Sequence, residues 1–269
     1  MMDGLTGFRL WAVMVMVATL GGHVIYFGFG TWLYRRYYVA RRDRAAEWKI
    51  QSRWVPDKLH RWGIRVAAVN MTIGGALSGT FAYFYMTEGV SQLYLDVDEY
   101  GWTYTLVSAV VLYVLVEAAA YYTHRWLHVR YMFKRFHQWH HRVVAPTPYI
   151  TVTMHPVEFT LLQLTAFLPV FVLPVHAVAF IVVLVYNLLF NLMDHSGIVM
   201  EHRLPWHSSS RFHDDHHLHF HCNFGQSLDW FDRFHGTHRR HGRRYGKDVF
   251  GGHGEASAPG EQPGAYVEY

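Results

Sequence analysis

The chain has 269 residues, a mean hydropathy of +0.02 and a formal charge of +4 with a pI near 9.1, enough for one domain and little more. A lone cysteine, Cys222, excludes an intramolecular disulfide framework and a cysteine-rich zinc module. The basic balance does not point to nucleic acid, because the positive residues gather in one loop between apolar blocks, where membrane topology and anionic head groups account for them.

Those blocks predict an all-α integral membrane protein with about four transmembrane segments and a cytoplasmic, histidine-rich helical cap. Residues 10–33, 66–86 and 102–122 are each near the roughly twenty residues that cross a bilayer. The first has no small-residue cleavage site and is expected to stay as an anchor. His23 within it, beside Gly21 and Gly22, reads as a helix-packing hydrogen bond. The glycines at 28 and 30 lack the rest of a dinucleotide fingerprint. Next comes the basic loop, with Arg35, Arg36, Arg41, Arg42, Arg44, Lys49, Arg53, Lys58, Arg61 and Arg65; its aromatics suit a segment in the head-group layer or a docking surface, and His60 has no partner at ligand spacing. The loop after the second block is acidic, with Glu88, Asp96, Asp98 and Glu99, so the positive-inside rule sets the basic loop in the cytoplasm. The fourth block, residues 159–193, is cut by Pro169 and Pro174 and is expected to enter and return as a helical hairpin. On this topology every histidine cluster falls on the cytoplasmic side. The chain divides into an N-terminal transmembrane pair with its loop (1–100), a catalytic unit (101–249) and a disordered Gly- and Pro-rich tail (250–269).

The third block leads into HRWLH, with His124 and His128 four apart, and then HQWHH, with His137, His140 and His141. FHDDHH repeats the second spacing with His213, His216 and His217. Spacings of three and four put imidazoles on one helix face. On one unbroken helix the first two clusters would point about 170° apart, so a bend is expected within residues 129–136 although neither Gly nor Pro occurs there. These residues offer too many ligands for one ion, and imidazole suits iron, zinc, copper or nickel, so two metals are the economical reading. His195 in DHSG completes the candidate ligand set; His155, Glu117 and Asp194 are candidates for a further ligand or an outer partner, with Glu117 favoured as a hydrogen-bond acceptor for a ligand imidazole. HRWLH has Arg where a zinc protease carries its general base.

HRWLH, HQWHH and HDDHH resemble the three histidine boxes of the fatty acid hydroxylase and sterol desaturase superfamily, over roughly residues 101–238. KRFHQWHH followed by PTP, the HP at His155, FVLPVH ending at His176 and NFGQ from Asn223 look most like C-5 sterol desaturases; DHSG and HFHCNF also resemble C-4 methyl sterol oxidases and cholesterol hydroxylases. The resemblance implies two iron ions (zinc can replace them in a crystal), dioxygen, a sterol-like lipid substrate, and electrons from a cytochrome b5 or ferredoxin with its reductase. It also implies the endoplasmic reticulum in a eukaryote or the inner membrane in a bacterium. Competing readings are a sterol, fatty acyl or sphingoid hydroxylase and a non-catalytic metal-binding or transport protein; a transporter places ionisable groups at mid-bilayer, whereas here they sit at segment ends. A substrate cavity is expected between the third block and the hairpin, around Val116, Tyr121, Leu161 and Phe190, with Trp126 and Trp139 at its mouth. Lys134, Arg135, Arg239, Arg240, Arg243 and Arg244 form the expected basic docking surface for an acidic carrier.

Overall fold

The computed structural model describes residues 7–201 and 206–239. Helix α1 (Phe8–Leu33) runs on through a π-helical turn, Tyr34–Val39, and packs antiparallel on α3 (Asp57–Glu88). Their contact is a small-residue seam. A Cβ on Gly75 would lie 2.3 Å from the Cα of Thr19, and one on Gly79 would lie 2.4 Å from the Cα of Val15, so the Gly-xxx-Gly spacing lets the two backbones meet. The Trp11 indole donates to the Thr80 hydroxyl at 3.0 Å near the far end of the seam. His23 Nδ1 donates within its own helix, to the Thr19 carbonyl 2.9 Å away, and not across to a neighbouring helix.

Among the described residues three helices are long and apolar enough to cross a membrane: α1 with its extension (Phe8–Val39), α4 (Gly101–Leu127) and α8 (Ala177–Asp194). The second block lies in α3, which is as long as α1 with its extension but diluted by glycines and by Asn70. That asparagine is buried and donates to the carbonyls of Val152 and Met154, so it serves packing. The fourth block does fold back on itself. Helix α7 (Pro156–Phe167) passes through a 3₁₀ turn, Leu168–Phe171, then strand β2 (Val175–His176), into α8. Its 12 residues make α7 shorter than the sequence suggests, because the turn tightens at Pro169. Strand β1 (Leu93–Tyr94), from the acidic loop, pairs parallel with β2, so that loop and the hairpin tip share one end of the bundle. Leu112 and Val116 of α4 pack there with Phe167, Val170, Val175, Phe180 and Val183.

At the opposite end the chain is short-range and buried. Helix α4 stops at Leu127 and Val129 is extended (φ −61°, ψ 136°). The path then turns through α5 (Arg130–Met132), a second π-helical turn (Phe133–His137) and α6 (Gln138–His141), which is the expected bend. Helices α9 (Ser210–His219) and α10 (Trp230–His235) close this cap. The basic loop is built into it and does not merely lie along the membrane. Trp48, at the end of α2 (Ala45–Trp48), is buried with Leu33, Tyr38 and Ile198, and residues on either side of Lys49 bond residues on either side of Ile198: Ile50 N–H to the Gly197 carbonyl at 3.0 Å and Val199 N–H to the Trp48 carbonyl at 2.7 Å.

Because the α1–α3 seam tolerates no side chain, Gly79→Leu should destabilise the fold by about 1–3 kcal/mol through overpacking. Gly21→Leu, at a position with nothing within 4 Å, should stay within about 0.5 kcal/mol. Thermal melting of both variants in detergent checks this; equal melting temperatures would remove the seam from the account.

Candidate metal centre

Nine buried imidazoles meet between the inner end of α4, the bend after it, the end of α8 and α9, in two adjoining groups. His124, His128, His137, His141 and His216 form one, and His140, His195, His213 and His217 the other; within each, the ligand atoms lie within 4.8 Å of one another. Helix periodicity sorts them. The i, i+4 pairs 124/128 and 137/141 enter the first group and the pair 213/217 enters the second. Neighbouring side chains diverge by about 100° on a helix, so His140 leaves its box for the second group and His216 leaves its box for the first. The groups touch: the rings of His141 and His217 are 5.0 Å apart, and those of His213 and His216 are 5.3 Å apart.

The outward ring nitrogens fix which atom faces in. His124 Nδ1 donates to the Phe224 carbonyl at 2.8 Å, His216 Nδ1 to the Cys222 carbonyl at 2.7 Å, and His195 Nδ1 to the Asn191 carbonyl at 2.9 Å. His137 Nδ1 donates to the Glu158 carboxylate at 2.6 Å. A carbonyl only accepts, so each of those imidazoles presents a bare Nε2 lone pair inward. His137 Nε2 sits 3.2 Å from that of His124, 3.0 Å from that of His128 and 3.0 Å from that of His141. His195 Nε2 is 3.2 Å from His140 Nε2 and 2.8 Å from His213 Nε2. Bare lone pairs facing each other repel, and a cation between them converts the repulsion into ligation. Burial and neighbouring imidazoles push His128, His140, His141, His213, His216 and His217 well below their ordinary pKa, and burial takes His195 down to about 4. They are neutral at pH 7, the form that binds metal. The donor set therefore fits two cations of imidazole-binding type.

The loop after α9 supplies two of those outward partners, and its backbone is forced into shape. Phe220 (φ 66°) and Asn223 (φ 58°) adopt left-handed conformations, which cost non-glycine residues energy. The Asn223 side chain repays this with bonds to the Phe212 carbonyl and from the Arg239 N–H. Asp232 of α10 accepts from the N–H groups of Phe224 and Gly225 and from the Thr237 hydroxyl. Gly225 has no room for a side chain, since a Cβ would meet the Leu228 carbonyl at 2.4 Å.

Several expected roles change. Glu117 is buried but touches no imidazole; it accepts from the N–H groups of Ser227 at 3.0 Å and Leu228 at 3.1 Å and so anchors this same loop. His155 stands outside both groups: its Nδ1 accepts from the Val157 N–H and caps α7, and its ring packs on Phe136 and Trp139. Asp194 is fully buried at the end of α8, beside His195 and outside both groups. The acidic partner of a box imidazole is Glu158, which sequence reasoning passed over. It lies in the first turn of α7, where a carboxylate is ordinary as a complement to the helix dipole, so position alone did not mark it.

Of the expected cavity walls, Val116, Tyr121 and Phe190 are core residues, each almost wholly buried. An open groove of about 340 Å³ instead lies between α4 and α7, bordered by Tyr122, Thr123, Trp126, Leu161, Leu164, Thr165 and Leu168. Leu161 and Trp126 were among the residues expected there; Trp139 packs against His155 and Trp62. Lys134 and Arg135 are exposed, whereas Arg239 is paired with Asp215 at 2.7 Å. Arg240, Arg243, Arg244 and the tail from residue 250 lie outside the described residues.

Removing the acceptor that orients His137 should weaken metal binding about 10–100-fold in Glu158→Ala. His155→Ala should bind metal as the unaltered chain does. Chelator titration followed by elemental analysis distinguishes them, and equal losses would show that the Glu158 contact has no special role.

Comparison with known proteins agrees with this geometry. Residues 109–237 match the model of the fatty acid hydroxylase family. A Delta(7)-sterol 5(6)-desaturase of Gibberella zeae is 30% identical over 153 residues, covering 56% of this chain and 47% of that protein. The lathosterol oxidase of Mus musculus is 33% identical over 153 residues, 55% of this chain and 51% of the mouse protein, and that of Homo sapiens is 30% identical with the same coverage. The chain thus spans about half the length of the curated relatives it matches. No solved structure matches it. Residues 109–237, which carry the nine imidazoles together with Glu117, Glu158 and the anchored loop, are the part of the chain that is similar to the fatty acid hydroxylase family.

Proposed function

We propose that the chain is a membrane-bound, dioxygen-dependent lipid oxidoreductase holding two iron ions, and that it acts as a sterol desaturase of the C-5 type. The observation that carries this reading is the meeting of nine buried imidazoles, in two adjoining groups, at one end of an apolar bundle. The names of the similar proteins supply the substrate class. His124, His128, His137, His141 and His216 would hold one ion, and His140, His195, His213 and His217 the other. Bound iron would supply the activation of dioxygen needed to take hydrogen from an unactivated carbon.

The chain's own residues have three tasks. Glu158 and the carbonyls of Asn191, Cys222 and Phe224 hold the imidazoles in one tautomer and one orientation. Phe133, Phe220 and Phe224 pack at tilted and edge-on angles around His128 and His141 and keep water away from the first group. The apolar helices below present a lipid. In this reading α1, α3 and α4 cross the membrane, the α7–α8 hairpin enters and returns as the fourth segment, and the basic loop puts the metal end in the cytoplasm. Electrons come from an external carrier, a cytochrome b5 or a ferredoxin with its reductase, and exposed Lys134 and Arg135 suit an acidic one.

Expression in cells whose sterols lack the 5,6 double bond should yield the 5-unsaturated sterol by mass spectrometry, and His137→Ala should yield none. A hydroxylated sterol in its place would exchange the desaturase reading for the hydroxylase one. Neutralising Lys134 and Arg135 together should slow turnover with the reconstituted carrier, most strongly at low salt, with metal content intact; unchanged turnover would move the docking surface elsewhere.

A further inference from the structure

Phe234 is 82% exposed, more than any other large apolar residue of the cap among the described residues, and Trp230, one helical turn away, is 47% exposed. The two share the outer face of α10 with Arg233, while Phe231 and Asp232 face inward, Phe231 onto Tyr121 and Tyr122 and Asp232 onto the loop at Gly225. Two bulky apolar side chains held out on so short a helix need an environment other than bulk water.

The position of α10 along α4 identifies that environment. Its ring contacts with α4 are to Tyr121 and Tyr122, and the Tyr122 hydroxyl is 3.0 Å from His235 Nε2. Tyr122 is itself exposed, and lies twenty residues after exposed Trp102 at the other end of the same apolar helix. At about 1.5 Å per residue that is about 30 Å, the thickness of a bilayer's hydrocarbon core. Exposed aromatic residues at that separation mark the two interfacial belts. Val111, Leu115, Tyr122 and Trp126 are all exposed and fall within about 60° of arc on α4, so the lipid-facing stripe of the helix runs up to α10 and continues onto Phe234 and Trp230. Arg233, paired with Asp229 at 2.7 Å, keeps its head among polar groups, as an interfacial arginine does.

We propose that α10 lies in the head-group layer as an in-plane foot, with Trp230 and Phe234 inserted among the lipids beside the groove between α4 and α7. Its partner is the bilayer surface and not a soluble protein. The inference rests on α4 crossing the membrane and on neither iron nor sterol, so its failure would leave the catalytic reading untouched.

The test uses the full chain in vesicles of phosphatidylcholine and phosphatidylglycerol. A nitroxide is attached at Phe234→Cys or, in a second variant, at Trp230→Cys; the native Cys222 is wholly buried, and the unaltered chain serves as the labelling blank. Both positions are on the surface, and retained helical content confirms folding. The expected result is greater collision of the label with dissolved oxygen than with a water-soluble nickel chelate at both sites. Greater collision with the nickel chelate at both would place α10 in water and overturn the proposal.

Discussion

Everything at the metal end depends on holding uncharged imidazoles with their lone pairs turned toward one another. Water would hydrogen-bond such nitrogens and protons would charge them, so the rings must be dry and their outer nitrogens occupied. For four of the nine rings, acceptors from three stretches of chain meet that need: Glu158 on α7, Asn191 on α8, and Cys222 and Phe224 on the loop after α9. The costs appear as left-handed Phe220 and Asn223 and a glycine that cannot be replaced, and the compensation appears as two buried carboxylates, Glu117 and Asp232, that accept the loop's N–H groups. The carboxylates of this site thus act mainly on backbone, at one remove from the imidazoles.

A second constraint concerns the irregular stretch between the second box and α7. Residues 143–155 form no regular element and are mostly buried, so their backbone groups need partners from elsewhere. The N-terminal half provides them. Tyr26 donates to the Tyr149 carbonyl and Tyr38 to the carbonyls of Pro146 and Ser196, Asn70 reaches Val152 and Met154, and Gln51 joins the Val144 carbonyl to Asp214 beside His213. Residues outside the family match therefore supply the hydrogen-bond partners of the stretch that follows the second box, and one of them reaches Asp214 in the third. The α1–α3 seam is the foundation of that support, which explains why its glycines approach so closely.

By itself, the sequence determined the helical class, the helical hairpin, the break after His128, and the set of residues whose rings meet. Each of these is periodic or local. Apolar runs have a length, spacings of three and four have a face, and two clusters 170° apart on one helix cannot share a site unless the helix ends. The spacing put each HxxHH on one face, whereas the structure divides it between two groups, a division the 100° step between neighbours accounts for. Only the tertiary structure decided which carboxylate serves an imidazole. Glu117 and Glu158 are both lone acids on apolar helices, and nothing in their spacing says that the first meets a loop amide and the second meets His137. Val116, Tyr121 and Phe190 lie on the helices expected to wall the cavity, but periodicity names a face without naming its neighbour, and those faces turned out to be core. His155 and Pro156 signal the start of a helix as readily as a ligand; the cap form prevailed because the ring is tied to its own helix's N–H, a short-range bond that no distant cluster had to supply.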